Sequence, residues 1–106
     1  MEKLAGFQRK HLRGLAHDLK PIVHIGTKGL TPALLEAVSA ALMDHELIKI
    51  KFLDFKEEKK NISEEIAAHT QGEIVGLIGN IAVLYREHPD PERREIAVPQ
   101  RGKERY

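Results

Sequence analysis

The sequence predicts an α/β domain: an N-terminal helix followed by a βαβαββ run, forming a four-stranded mixed sheet with helices packed on it. Three observations carry this reading. Residues 4–19 repeat apolar side chains at three- and four-residue steps, the period of one helix face. Residues 47–53, LIKIKFL, alternate instead, with Ile48, Ile50 and Phe52 on one side and Leu47, Lys49 and Lys51 on the other, as in a half-buried strand. Two further short apolar runs, 73–78 and 81–87, are separated only by Gly79-Asn80, a dipeptide that fits a two-residue hairpin turn of type II′.

In the first helix the predicted inward stripe is Leu4, Phe7, His11, Leu12, Leu15, Ala16 and Leu19. Arg9, Arg13, His17 and Lys20 follow one another on a second face, with Lys3 and Lys10 alongside. No acidic residue lies between Lys3 and His17, whereas an ordinary solvated face mixes signs to gain i,i+4 pairs. Two readings of that face stand: a solvated surface, or a ridge that contacts phosphate. Pro21 closes the helix, because the residue before a proline is pushed out of the α region. Residues 22–25 form the first strand and lead into Gly26-Thr27-Lys28-Gly29. Thr31 is then a good helix N-cap and Pro32 a good first helical residue. The second helix runs to about residue 45, with Leu34, Leu35, Val38, Ala41 and Leu42 inward. With the strand that follows, it makes a βαβ unit with parallel strands and a right-handed crossover.

Asp54-Phe55-Lys56-Glu57 has capping-box spacing with Asp at the cap. The third helix is therefore expected over 55–71, with Phe55, Ile62, Ile66 and His69 or Thr70 inward, or from a later start capped by Ser63. Gly72 is placed as its stop. Beyond His88, Pro89 and Pro91 break regularity. Residues 1–88 are read as the folded domain and 89–106 as a charged tail, either flexible or laid along the domain by Ile96-Ala97-Val98.

Composition narrows the function. At 106 residues the chain is one domain. Charged residues make up 31%, and the longest wholly apolar run is five residues, Ile81–Tyr85, so no segment is expected to span a membrane. The start of the chain lacks the apolar core of a secretory signal. With no cysteine, disulfides and thiolate zinc sites are excluded and a reducing cytoplasm fits. The net charge of +1 is silent about partners, but its distribution is not: residues 1–60 carry 11 Lys+Arg against 8 Asp+Glu, and residues 61–106 carry 6 against 8.

The chemistry concentrates at Gly26-Thr27-Lys28-Gly29. A glycine-permitted turn beside the positive end of a helix presents backbone amides to an anion, and Lys28 adds a full charge. The competing reading is a plain glycine turn joining strand to helix. No converging catalytic set accompanies it. The six histidines (11, 17, 24, 45, 69, 88) have no metal-binding spacing, and the turn lacks the longer frame of a nucleotide-binding P-loop. No enzyme activity and no cofactor are expected.

Three stretches in order, RKHLRGLAH (9–17), PIVHIGTKGLT (21–31) and HELIKIK (45–51), resemble the CRM domain, the chloroplast RNA splicing and ribosome maturation domain, whose single-domain bacterial form is the YhbY-like protein. GNIAVLYR (79–86) matches that family's closing hairpin, and the tail after His88 lies outside the pattern. The resemblance implies an RNA-binding domain whose sheet is like that of the C-terminal domain of translation initiation factor three. It also implies a Gly-x-x-Gly loop likened to that of KH domains, which clamps the nucleic-acid backbone. Bacterial members are associated with precursors of the large ribosomal subunit, and plant members with group II intron splicing. The expected RNA contacts are Arg9, Lys10, Arg13, Gly26, Thr27, Lys28, Gly29, Lys49 and Lys51, in a monomer. The alternative is a module that binds an acidic ribosomal or assembly protein through Lys49 and Lys51. Phe7, Phe52 and Phe55 are assigned to the core, Tyr106 is terminal, and only Tyr85 is left to face outward. Recognition of folded RNA by shape, rather than by base stacking, is the corresponding expectation.

Overall fold

The computed structural model describes residues 3–99. In chain order its elements are α1 (Gly6–Ala16), β1 (Val23–Ile25), α2 (Pro32–His45), β2 (Leu47–Phe52), a 3-10 turn (Lys56–Glu58) leading into α3 (Lys59–Thr70), β3 (Glu73–Ile78), β4 (Ile81–Tyr85) and a last 3-10 turn (Pro91–Arg93). The strands lie in the order β1-β2-β4-β3, with β1 parallel to β2 and the other neighbours antiparallel. This is the mixed sheet that the alternation and the hairpin dipeptide predict. At the hairpin, Ile78 pairs with Ile81 and Gly79 takes a φ of 57°, as the first central position of a II′ turn requires.

The period of two in β2 sends its side chains to two different cores. Ile48, Ile50 and Phe52 join Val23, Ile25, Ala82 and Leu84 beneath Val38 and Leu42 of α2 and Ile66 of α3. On the opposite face Leu47, Val75, Val83 and Tyr85 are covered by Leu4, Leu12 and Ala16. Helix α2 begins as expected, with the Thr31 hydroxyl accepting the Leu34 N–H at 3.1 Å and Pro32 in the first turn.

Three sequence expectations are corrected. Helix α1 is shorter than residues 4–19, and of its seven stripe residues only Leu4, Leu12 and Ala16 are buried; Phe7, Leu15 and Leu19 are exposed, as is His11. The helix meets the sheet along the single Leu12–Ala16 line, Leu19 lies past its end, and the Arg13 stem fills one flank by packing over Gly76. Asp54 does not cap α3: its carboxylate accepts the Phe55 N–H at 2.8 Å, and Phe55 turns left-handed at φ 56°, so the helix starts only at Lys59. Ser63 is not a cap either; it is buried inside α3 with an unpartnered hydroxyl. At the far end Gln71, not Gly72, takes the left-handed conformation (φ 61°). Gly72 serves close approach instead, since a Cβ there would lie 3.3 Å from Leu42 Cδ1 and 3.6 Å from the Tyr85 carbonyl.

A buried carboxylate organises the end of the described chain. Glu46 is 2% exposed and has a positive φ of 64°. It accepts the N–H groups of His88 (2.7 Å), Glu95 (2.8 Å) and Ile96 (3.1 Å). Several charge-assisted bonds are what a buried carboxylate requires. They lay Ile96 and Val98 against the second core, and Gln8 and His11 of α1 hold the carbonyls of Pro99 (2.8 Å) and Ala97 (3.0 Å). Residues 100–106 of the tail, Tyr106 included, lie outside the described residues.

Replacing Glu46 with Ala removes the shared acceptor, and an effect of roughly 1–3 kcal/mol on stability is expected. Hydrogen exchange should show the Glu95 and Ile96 amides losing protection while β2 and β4 keep theirs. Unchanged protection would mean that apolar packing alone holds the segment. Tyr85 generates a pH prediction. Burial, reinforced by the Glu46 and Glu87 charges, pushes its phenol from 10.0 up to about 12. The folded protein thus holds a proton that the unfolded chain releases near pH 10, so this contribution is full below that pH and is lost as pH rises toward 12. Urea unfolding at about pH 9 and about pH 11 should show a loss that Tyr85→Phe lacks.

Candidate nucleic-acid interface

The register defines which part of the sheet is open. His24 pairs with Lys51, Lys51 with Ile81, and Ile81 with Ile78. Directly paired residues share a face, so these four form one row across all four strands, on the side away from α2 and α3. Helix α1 covers the rows through Leu47 and Lys49 and ends before this one. His24 and Lys51 are exposed and Ile78 is 60% exposed, while Ile81 between them is half-buried against the edge of the second core. With neighbouring strands about 4.8 Å apart, the row is roughly 14 Å long.

The glycine turn stands at one end of the row. β1 ends at Ile25, and the Gly29 N–H donates to the Gly26 carbonyl at 3.0 Å, closing a tight turn with Thr27 and Lys28 exposed at its tip. Gly29 has a φ of 65°, which only glycine adopts without cost; Gly26 has a negative or extended φ and open space where a Cβ would stand. Among the described residues, no hydrogen bond engages the Thr27 and Lys28 amides or the Lys28 ammonium. At the start of α2, Thr31 satisfies the Leu34 N–H and Pro32 has none to offer, so the free donors sit chiefly in the turn rather than at the helix end.

A second loop braces the turn. The N–H groups of Leu53 and Asp54 both donate to the Ile25 carbonyl (2.9 and 3.2 Å). The Phe55 ring comes to Gly29 so closely that a Cβ on that glycine would be 3.1 Å from Phe55 Cε2. Phe55 is 37% exposed and Leu53 54%. A left-handed backbone at an aromatic residue costs about 1–2 kcal/mol, and the Asp54 carboxylate holding the Phe55 N–H helps to offset it.

The expected contact residues therefore divide. Gly26, Thr27, Lys28, Gly29 and Lys51 come together around the open end of the sheet, joined by His24 and Lys56, which the sequence reading did not select. Lys10 is exposed on the solvent side of α1. Arg9 and Arg13 fasten α1 to β3. Arg9 donates to the Leu4 carbonyl at 2.6 Å and lies 3.7 Å from the Glu73 carboxylate, and Arg13 donates to the Val75 carbonyl at 2.8 Å. Lys49 donates to the carbonyls of His17 (3.2 Å) and Leu19 (3.0 Å), tying down the chain that leaves α1. Arg13, beside Gly76, borders the open row near Ile78, and Lys28 borders it near His24, so the row bridges the two basic ends.

The aromatic assignment is also corrected. Phe52 is buried, but Phe7 and Phe55 are exposed, while Tyr85 is 1% exposed. No local pattern signals this for Phe55: its orientation follows from the left-handed turn after Asp54 and from the room that Gly29 leaves. Among the described residues, no group of three His, Asp or Glu side chains could hold a metal, and no helix is long and apolar enough to cross a membrane.

Fold and site together define a small α/β domain whose sheet is sealed by helices on one face and left open and cationic at one end of the other. The chain belongs to the CRS1 / YhbY (CRM) domain family, whose model matches residues 4–86. It is 39% identical over 102 residues to a protein of Haemophilus influenzae named RNA-binding protein, covering 95% of this chain and 100% of that one. It is 36% identical over 97 residues to the probable RNA-binding protein YqeI of Bacillus subtilis, covering 91% and 99% of the two chains. The solution structure of SAV1595 from Staphylococcus aureus, described as a hypothetical protein and a candidate RNA binder, superposes with a TM-score of 0.76 at 34% identity, covering 92% of this chain and all of that one.

If Lys10, Lys28 and Lys51 each neutralise one phosphate, their triple Ala variant should bind RNA with a flatter salt dependence. The log–log slope should fall by roughly two to three units, at about 0.7–0.9 per contact. These side chains make no hydrogen bond or ion pair among the described residues, so the melting temperature should stay within a few degrees. A weakened variant with the full slope would place the phosphate contacts elsewhere.

Proposed function

We propose that the chain binds folded RNA along its phosphate backbone and acts in assembly of the large ribosomal subunit, as a cytoplasmic monomer. The observation that carries the RNA reading is Lys28 at the tip of the 26–29 turn, beside amides with no internal partner and in line with the exposed His24–Lys51 pair. Backbone donors and lysines position a phosphate without reading sequence. The names of the relatives support RNA as the partner, and the association of the family's single-domain bacterial members with large-subunit precursors is the ground for the assembly role. Arg9, Arg13 and Lys49 enter this reading chiefly as the anchors that hold α1 back from the open row. Residues 1–88 form the RNA-binding body, and residues 89–99 of the tail are a strap held by Glu46. The alternative, an acidic protein docked on Lys49 and Lys51, has one of its two lysines already committed to backbone carbonyls.

Gradient sedimentation of a bacterial lysate tests the assembly role. The protein should travel with large-subunit precursors and be depleted from translating ribosomes. Sedimentation only as free protein, or with mature ribosomes alone, would remove the assembly role.

A further inference from the structure

We propose that Phe55 is a stacking platform for one unpaired base of the bound RNA, set beside the phosphate contact of the 26–29 turn. The inference rests on the reading of that turn as an RNA-backbone contact and adds what kind of RNA it selects.

Phe55 follows β2 at the point where a chain entering α3 would ordinarily turn an aromatic side chain into the core. Its left-handed backbone (φ 56°, ψ 38°) directs the ring to Gly29 instead. That conformation is held on both sides: the Phe55 N–H is bound by the Asp54 carboxylate, and its carbonyl accepts the Glu58 N–H at 3.1 Å. Strained backbone maintained by its surroundings is concentrated at binding sites. The ring is supported from beneath by a glycine that can carry no side chain there, because of both its φ of 65° and the 3.1 Å approach. More than a third of the residue stays in solvent, next to Leu53 at 54% exposure.

The two loops that carry and support the ring hold two lysines, together with the exposed residues Asp54, Glu57 and Glu58. Lys28 on the turn and Lys56 next in sequence are both exposed and have no partner among the described residues. An exposed aromatic ring with one unpaired lysine next in sequence and another on the turn that the ring packs against matches a nucleotide, whose base has a flat π-face and whose phosphate is anionic. A purely apolar partner would leave these ammonium groups desolvated without compensation, and an acidic peptide would make no use of the ring. A fully paired helix keeps its bases stacked inside, so only an RNA with a loop, bulge or end beside the contacted backbone can use both features.

Wild type, Phe55→Leu and Phe55→Trp are titrated at fixed salt against two RNAs. One is a hairpin carrying a fluorescent purine analogue at unpaired loop positions, and the other is the blunt duplex of the same stem. Phe55→Leu should lose about 5- to 150-fold in affinity for the hairpin, the range for one base–aromatic stack, with duplex affinity unchanged. Phe55→Trp should restore hairpin binding, and both aromatic forms should quench the analogue where the Leu variant does not. Equal binding of both RNAs by wild type and the Leu variant would overturn the stacking role while leaving RNA binding intact. An equal loss on both RNAs would also overturn it, because the ring would then act only by supporting the turn. Lys28→Glu should weaken both RNAs together, so a wild-type protein that binds neither removes the phosphate contact and the stack with it. If Phe55→Leu does not fold, quenching by the wild-type and Trp forms decides: its absence in both rejects the proposal.

Discussion

Helix α1 has eleven residues, about 16 Å at 1.5 Å per residue, and the sheet face beneath it is longer than the strip it covers. The rest of the molecule follows from where that cover stops. At the Leu47 end, β2 is buried on both faces and packs as a central strand in two cores. Four residues on, at Lys51, one face is open, and the row from His24 to Ile78 is left to solvent except at Ile81, which packs against the edge of the second core. Arg13 sets the position of the helix by bonding a backbone carbonyl on β3, Arg9 by pairing with the Glu73 carboxylate of β3 while bonding the Leu4 carbonyl ahead of α1, and Lys49 by bonding carbonyls in the segment after α1. Basic residues that look alike in sequence thus do two jobs: some hold the helix in place, and others, such as Lys28 and Lys51, stay free where the helix does not reach.

Among the described residues, three other than glycine have positive φ, and each lies where one element must turn sharply into the next: Glu46 between α2 and β2, Phe55 between β2 and α3, and Gln71 between α3 and β3. Each such turn costs of order 1–3 kcal/mol and persists only if its surroundings compensate. For Glu46 the compensation is visible as three accepted N–H groups and a backbone carbonyl that accepts the Arg86 N–H at 2.8 Å. For Gln71 it comes from the helix end, where the Gln71 and Gly72 N–H groups both reach the Ala67 carbonyl. For Phe55 it comes from Asp54 and the following 3-10 turn, which leave the ring at the surface beside Gly29.

Local chemistry made much of this legible in advance. Alternation over 47–53 identified β2 and the side-chain set of its main core, because period two leaves no other way to bury Ile48, Ile50 and Phe52 together. Thr31 and Pro32 marked the start of α2, and Gly79-Asn80 marked the hairpin, because capping and II′ geometry each demand particular residues at particular places. The 26–29 turn was recognisable as a candidate phosphate contact for the same reason, and the three matching stretches carried the family.

Tertiary structure alone decided how the surface is divided. A three- and four-residue stripe shows that a helix has an inward side but not how wide that side is. Phe7, Leu15 and Leu19 are exposed because the sheet offers only the Leu12–Ala16 line to pack on. Whether an arginine anchors or stays free depends on carbonyls about sixty residues away in sequence, at Val75 for Arg13. Glu46 reads as an ordinary helix-end acid until the chain returns from residue 88 to bring it three N–H groups. Phe55 reads as core until the Asp54 carboxylate and the bare Gly29 turn it toward the loop. The sequence by itself determined the elements and the turn, which are short-range chemistry. The open row, the anchors and the exposed ring depend on contacts between residues far apart in the chain, which no local pattern encodes.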